Sequence, residues 1–254
     1  MGILEGRVAV VTGASSGIGR ACAVRFAEEG AAVVASARRA NLLDELVDEI
    51  TSKGGRAIAV VCDVMNEDEI INVVDTAGER FGRIDILGNF AQAFYPYRAI
   101  DHANLMSTTP QNALNQFVGG PLQFMLFMQK CFPYMKAQGY GRIVNTSSGA
   151  WLLGTPDYVA YGMAKAAVDA LTRHASQDWG QYGITTNTIY PVVRNLDHER
   201  EHPEMAKALP QRIPLKRHGT PYDDLSPIVT FLVSEGSGYL NGQSFGINGG
   251  LFFV

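Results

Sequence analysis

The 254-residue sequence predicts an α/β protein, a doubly wound parallel seven-stranded sheet with helices on both faces. Three observations lead there. Seven short β-branched runs alternate with helix-length segments, an order that implies right-handed crossovers between parallel strands. The runs are apolar throughout instead of alternating, as strands covered on both faces should be. A glycine-rich turn, Thr12 to Gly19, joins the first run directly to the first helical pattern.

In chain order the strand-like runs are 7–12, 32–37, 56–63, 84–90, 142–147, 184–190 and 244–248. The first helical pattern spans 17–30. Another begins after Asn66, where Glu69 three residues on makes a capping arrangement. The stretch 117–135 is apolar enough to resemble a membrane span, but Pro121, Gln123, Gln129 and Lys130 interrupt it, and a buried or interface helix is expected. Gly119-Gly120-Pro121 should kink or break that helix, because proline removes a donor and clashes one turn back. The carbonyl freed near Phe117 then needs another partner. The longest helical pattern runs over 157–182. No linker or repeat interrupts the chain, so 1–254 reads as one domain.

Composition removes several function classes. The chain is 46% hydrophobic and 18% charged, enough for a full core and wrong for a disordered segment. Net charge is −4 without a basic cluster, so no nucleic-acid partner is expected. Cys22, Cys62 and Cys131 lack metal spacing, and their odd count argues against a disulfide framework. A strand pattern within seven residues of the start leaves no room for a signal peptide, and a cytoplasmic location without membrane association is the expectation. Asn145-Thr146-Ser147 matches a glycosylation sequon but closes an apolar strand. His198-Glu199-Arg200-Glu201-His202 spells H-E-x-x-H. Zinc needs both histidines on one helix face and a third ligand, and Pro203 disfavours helix at His202, so no metal is expected and a polar flap is.

Two constellations carry chemistry. In the turn, Gly13 allows a tight bend, Gly17 lets backbone approach a pyrophosphate, and Gly19 permits close helix packing. The helix start then offers unpaired N–H groups to phosphates. The second strand ends without the carboxylate that would grip a ribose diol; Arg38 stands there instead, and a guanidinium can fork onto a 2′-phosphate, so NADP(H) is preferred over NAD(H). Asp63, closing the third strand, is placed to meet the adenine. The second constellation is Ser148, Tyr161 and Lys165. A phenol is a poor acid or base at neutral pH, and a cation one helical turn on should lower its pKa. Ser148 can polarise a carbonyl. Together the two halves point to a nucleotide-dependent oxidoreductase.

These residues resemble the short-chain dehydrogenase/reductase family over essentially the whole chain. The matching pieces are TGASSGIG (12–19), CDV (62–64), GRIVNTSS (141–148), YGMAK (161–165) and the tail from RHGTPYDD to YLNGQSFGINGG (217–250). The resemblance implies a Rossmann-type fold, a homotetramer or homodimer, and a flexible lid about 192–212. It implies that Ser148 and Tyr161 bind the carbonyl, that Tyr161 moves the proton, and that Lys165 also holds the nicotinamide ribose. The implied cofactor site adds Ser15, Ser16, Ile18, Val64, Asn89, Ala91 and Pro191 to Gly13, Gly17, Gly19, Arg38 and Asp63.

Departures from the family pattern fall at the nicotinamide end. Asn89-Phe90-Ala91-Gln92 stands where Asn-Asn-Ala-Gly is usual, Gly120 where an active-site asparagine is usual, Val192 where a glycine follows Pro191, and Asn195 where a threonine is usual. The family's asparagine marks a kink whose carbonyl holds a relay water, and Gly119-Gly120-Pro121 offers another route to such a carbonyl. The substrate expected is an apolar, ring-bearing ketone or secondary alcohol, lined by Phe94, Tyr95, Trp151, Leu152, Leu153, Tyr158 and Tyr190. The apolar Leu251-Phe252-Phe253-Val254 is expected to pack on a neighbouring subunit. Competing readings are a catalytically weak nucleotide-binding protein, drawn from Gln92, Gly120 and Val192, and a non-redox enzyme similar to halohydrin dehalogenases. Those relatives lose the glycine turn and the lysine, both intact here.

Overall fold

A computed structural model describes residues 2–93, 103–194, 199–200 and 203–254, the side chain of Met205 excepted. Seven strands form one sheet: β1 (Val8–Thr12), β2 (Ala32–Ala37), β3 (Arg56–Val61), β4 (Ile86–Asn89), β5 (Gly141–Thr146), β6 (Ile184–Pro191) and β7 (Ser244–Ile247). Their order is β3-β2-β1-β4-β5-β6-β7, and every neighbouring pair is parallel. The chain reverses its direction of travel between β1 and β4, so a crevice opens outside the carboxyl ends of those two strands.

The helices that flank the sheet are α1 (Gly17–Glu28), α2 (Ala40–Ser52), α3 (Glu67–Phe81), α4 (Pro110–Phe117), α5 (Gln123–Gln138), the short α6 (Gly149–Leu152) and α7 (Val159–Trp179). Successive strand residues feed opposite faces. Ala9, Val11, Val33 and Ala35 pack with Cys22 and Phe26 of α1, Leu43 and Leu46 of α2, and Val229 and Leu232 near the end of the chain. Val10, Val34, Leu87 and Ile143 pack on the other side with Ile70 and Val73 of α3 and Phe127 and Met128 of α5. The cysteines are free and buried, and burial pushes their thiols up, to about 11 at Cys62.

The prediction that every strand is covered on both faces holds in the centre and fails at the edges. β1, β2 and β4 are buried throughout, whereas β3 is buried at Val60 alone and leaves Val61 half exposed, and β7 is mostly part-exposed. An edge strand lacks a neighbour on one side, so the helices that roof the centre of the sheet do not seal it. The cap at α3 forms with a variation: Asn66 Oδ1 accepts from Asp68 N, and Glu69 accepts from Asn66 Nδ2 and from Asp63 N.

The proline interruption takes the form of a five-residue π turn, Val118–Leu122, which runs on directly from α4 and into α5. Widening the turn removes the clash that a proline ring makes one turn back. The spare Gly119 carbonyl accepts from Ala93 N at 3.0 Å, which fastens the loop after β4 to this helix. In the 117–135 stretch Phe124, Phe127, Met128, Cys131 and Met135 are buried, and no described helix is long and apolar enough to cross a membrane. The tail is partly folded back and partly exposed. Phe252 folds back on its own chain, where a Cβ at Gly149 would run into its ring, and meets Tyr190 edge-on at 6.4 Å; Phe253 stays 93% exposed.

At the amino ends of the strands, buried Asp85 collects five donors: Arg7 Nη1 (3.1 Å), Val8 N (2.9 Å), Arg83 Nε (2.8 Å) and Nη2 (2.6 Å), and Gln138 Nε2 (3.3 Å). Tyr140 is clasped between Arg7 and Arg142, at 3.7 and 4.2 Å from its ring centre.

Candidate active site

The β1–α1 turn is shaped by its glycines. Gly13 and Gly17 have φ of 68° and 54°, where L side chains are strained, and a Cβ on Gly19 would lie 2.5 Å from the Gly13 carbonyl oxygen. Ser16 caps α1 without a side-chain hydrogen bond, and the first turn carries no acid. The first N–H groups of the helix and the positive end of its dipole are therefore left for an anion. Ser15 is buried, Ser16 exposed, and Ile18 leans on the core.

Arg39, which sequence reasoning passed over, bridges this turn: its Nη2 donates to Ser15 Oγ (2.9 Å) and Ser16 Oγ (2.8 Å). Only adjacency to Arg38 could have drawn attention to it, since the contact spans the β1 and β2 ends. Arg38 itself is exposed beside the turn. Asp63 folds onto its own loop, its Oδ1 accepting from Met65 N at 3.1 Å, and Val64 is buried. Thr12, also not singled out, accepts from Phe90 N and Ala91 N and donates to Gly88 O, tying the glycine turn to the loop after β4. Asn89 donates to Asn145 Oδ1 at 2.8 Å while its own Oδ1 has no partner. Asn145, fully buried, donates to Thr172.

The reaction groups lie along the same sheet edge. Ser148 caps α6, accepting from Ala150 N, and hydrogen-bonds toward Tyr161 on α7. Lys165, one turn further, is 2% exposed; its Nζ donates to Thr146 O at 2.8 Å and lies 5.6 Å from the Tyr161 ring centre and 5.4 Å from that of Phe124. The expectation that Lys165 lowers the Tyr161 pKa is not met in the protein alone. Desolvation pushes the phenol up to about 12, with Ser148 pulling it down and Tyr158 pushing it further up. Desolvation also lowers Lys165 to about 7, partly opposed by Asp169. An ammonium that is itself half discharged near neutrality exerts little pull on a neighbouring phenol.

Gln92 and Gly120 prove to be neighbours: a Cβ on Gly120 would sit 3.4 Å from both terminal atoms of the Gln92 carboxamide, whose Oε1 is buried without a partner. Gln123 Nε2 holds Ala91 O at 3.0 Å. Pro191 ends β6, and Val192 N donates to Ile247 O. Beside them lies a small open cleft lined by Val192, Val193, Ile213 and Leu215 together with Arg217, Asp224 and Asn248. Of the expected pocket wall, Leu152 and Leu153 are exposed, Trp151 and Tyr158 half-buried, and Tyr158 meets Tyr161 edge-on at 6.1 Å. Tyr190, only 1% exposed, is interior and no open wall. Phe94, Tyr95, Asn195 and the motif histidines His198 and His202 lie outside the described residues. Glu199 of that motif pairs with Arg194, and among the described residues no group of three His, Cys, Asp or Glu could hold a metal.

An open, positive-φ glycine cradle at an uncapped helix start, with a buried lysine and a tyrosine along the same edge, suits a dinucleotide whose redox end lies by the phenol. Comparison with known proteins agrees. The model of the family described as enoyl-(acyl carrier protein) reductase matches residues 13–252. The 3-oxoacyl-[acyl-carrier-protein] reductase FabG of Thermotoga maritima is 34% identical over 250 residues, 98% of each chain. The (2S)-[(R)-hydroxy(phenyl)methyl]succinyl-CoA dehydrogenase subunit BbsD of Thauera aromatica is 35% identical, again over 98% of each chain. Among solved structures, a 7α-hydroxysteroid dehydrogenase complexed with NADH and 7-oxo glycochenodeoxycholic acid superposes with a TM-score of 0.89 at 30% identity, covering 97% of this chain and 94% of that one. The chain therefore belongs to the short-chain dehydrogenase/reductase family and is a nicotinamide-dependent oxidoreductase that interconverts carbonyls and alcohols.

Proposed function

We propose that the protein interconverts an apolar, ring-bearing ketone and its secondary alcohol with NADP(H). The stacking of Ser148, Tyr161 and Lys165 along one sheet edge carries the reading. Ser148 polarises the carbonyl, Tyr161 gives up or takes the proton, and Lys165 holds the ribose; the nicotinamide, when bound, supplies or accepts the hydride. The phosphate cradle is Gly13, Ser15, Ser16, Gly17, Ile18 and Gly19, with Asp63, Val64, Asn89, Ala91 and Pro191 along the rest of the dinucleotide. Arg38, exposed where no carboxylate stands, supports the NADP preference, and Arg39 stiffens the serines beneath it.

Phenyl and steroid groups in the names of two similar proteins support a ring-bearing substrate here. The apolar side chains of Val192, Val193, Ile213 and Leu215 in the cleft beside Pro191 support its placement. Self-association is supported by an exposed apolar stripe at helical spacing, Leu114, Val118, Leu122 and Met125. The test is reduction of a panel of cyclic and aryl ketones with NADPH by the wild type and Tyr161→Phe. Turnover in the first and its loss in the second is expected; turnover that survives the substitution would overturn the assignment.

A further inference from the structure

Tyr161 and Lys165 sit on a long helix, but Ser148 does not. It stands between β5 and α6, a helix of four residues, and so short a helix keeps its geometry only through packing. The two chain neighbours of Ser148 supply that packing from different parts of the fold. Ser147 is pinned to α7 and β6: its Oγ lies 3.0 Å from the Lys165 carbonyl oxygen and 3.0 Å from Asp169 Oδ2, and its N–H donates to Ile189 O at 2.9 Å. Gly149 is pinned by a residue far along the sequence. It is buried against the Phe252 ring, so closely that a Cβ at this position would overlap the ring. The rest of α6 lies on α7, where a Cβ on Gly162, next to Tyr161, would be 3.6 Å from Trp151 Cβ.

A specific turn delivers the Phe252 ring. After β7, Gly249 and Gly250 take φ of 63° and 87° and reverse the chain. Buried Asn248 ties the reversal together: its Oδ1 accepts from Gly250 N at 3.0 Å, and its Nδ2 donates to Phe252 O at 2.8 Å. The ring is buried and meets interior Tyr190 edge-on, whereas the next residue, Phe253, stays in solvent. The burial is therefore a property of position 252 and not of an apolar segment packing as a block. The same turn reaches the cleft beside Pro191: Asn248 and Gly249 line it, and a Cβ on Gly249 would lie 2.6 Å from Ile213 Cγ2.

We propose that Phe252 is a positioning residue for Ser148. Its ring backs Gly149 and so sets where the Ser148 hydroxyl stands relative to Tyr161, with Asn248 and the glycine turn as its mount. The proposal rests on the assigned role of Ser148 in polarising the carbonyl. Phe252 acts through Gly149 and is not itself one of the reacting groups. Without the ring, α6 settles toward the vacated space and carries Ser148 with it. A displacement of about 1 Å at a reacting group can cost about a hundredfold in rate.

The experiment is a double-mutant cycle of Phe252→Ala and Ser148→Ala, read as NADPH-dependent reduction of the cyclic and aryl ketones, with rates expressed per NADPH-binding site. Phe252→Ala should lower kcat at least about tenfold and leave NADPH affinity unchanged. In the Ser148→Ala background the same substitution should cost less than about twofold, because a hydroxyl already removed cannot be misplaced. Equal losses in the two backgrounds, or an unchanged kcat in Phe252→Ala, would make Phe252 a packing residue only and overturn the proposal. Full activity in Ser148→Ala alone would instead remove the role of Ser148 beneath it. Hydrogen exchange of the nucleotide-free protein gives a decision that needs no substrate. Amides of residues 148–153 should exchange at least about tenfold faster in Phe252→Ala, while those of β1 and β4 keep their wild-type rates. Unchanged exchange at 148–153, or equal acceleration everywhere, contradicts the proposal. Phe252→Leu is read in the same way, with smaller shifts, should Phe252→Ala not fold.

Discussion

The two ends of the sheet use the same kinds of side chain to opposite ends. At the amino end Asp85 is saturated, with two arginines, a glutamine and a backbone N–H on its two oxygens. At the carboxyl end Asn89, Gln92 and Thr146 each leave a buried polar atom without a partner, and Lys165 sits in surroundings that lower its pKa. A saturated ion cluster fixes strand β4 against β1 and has nothing left to offer a ligand. An unsaturated edge is costly to the fold and is where a ligand can complete the hydrogen bonding. Stability and chemistry are thus separated by the length of a strand.

Substitutions should respect that separation. The largest effect is expected from Tyr161→Phe, which should lower kcat by between about 10² and 10⁴ with little change in unfolding midpoint, because only the reacting hydroxyl is removed. Next comes Asp85→Ala. It strands Arg83, leaves Arg7 with Glu235 as its remaining carboxylate and leaves Val8 N unsatisfied, so urea denaturation should register a loss of about 3 kcal/mol while kcat per folded molecule is unchanged. A fall in kcat there would mean that the two ends are coupled.

Arg38→Ala should weaken NADPH at least about tenfold and leave NADH alone, the worth of a hydrogen bond to a charged phosphate. Equal losses for both nucleotides would remove Arg38 as the phosphate reader. The smallest effect belongs to Glu49→Gln. Lys53 and Arg20 hold this part-exposed carboxylate below its usual range, yet the pairs lie in solvent and should contribute no more than about 0.5 kcal/mol.

Much of this was legible in the sequence because it is local. The strand-turn-helix at Thr12 to Gly19 and the central strands announce themselves by glycine spacing and by runs apolar on both faces. The edge strands β3 and β7 were read as covered because composition does not reveal a missing neighbour. Long-range consequences were not legible. Arg39 reaches back to Ser15 and Ser16, the Gly119 carbonyl meets Ala93, and Gln92 lies against Gly120 only once the sheet has brought distant loops together. The upward push on Tyr161 is of the same kind: helical spacing promises a cation one turn away, but depth of burial decides how much charge that cation keeps.

The most direct test of the carboxyl edge as the reaction end is a fluorescence titration of the wild-type protein with NADPH and with NADH. Saturable binding of both, tighter for NADPH, is the predicted result. Absence of binding by either nucleotide would contradict the assignment of this edge as a cofactor site.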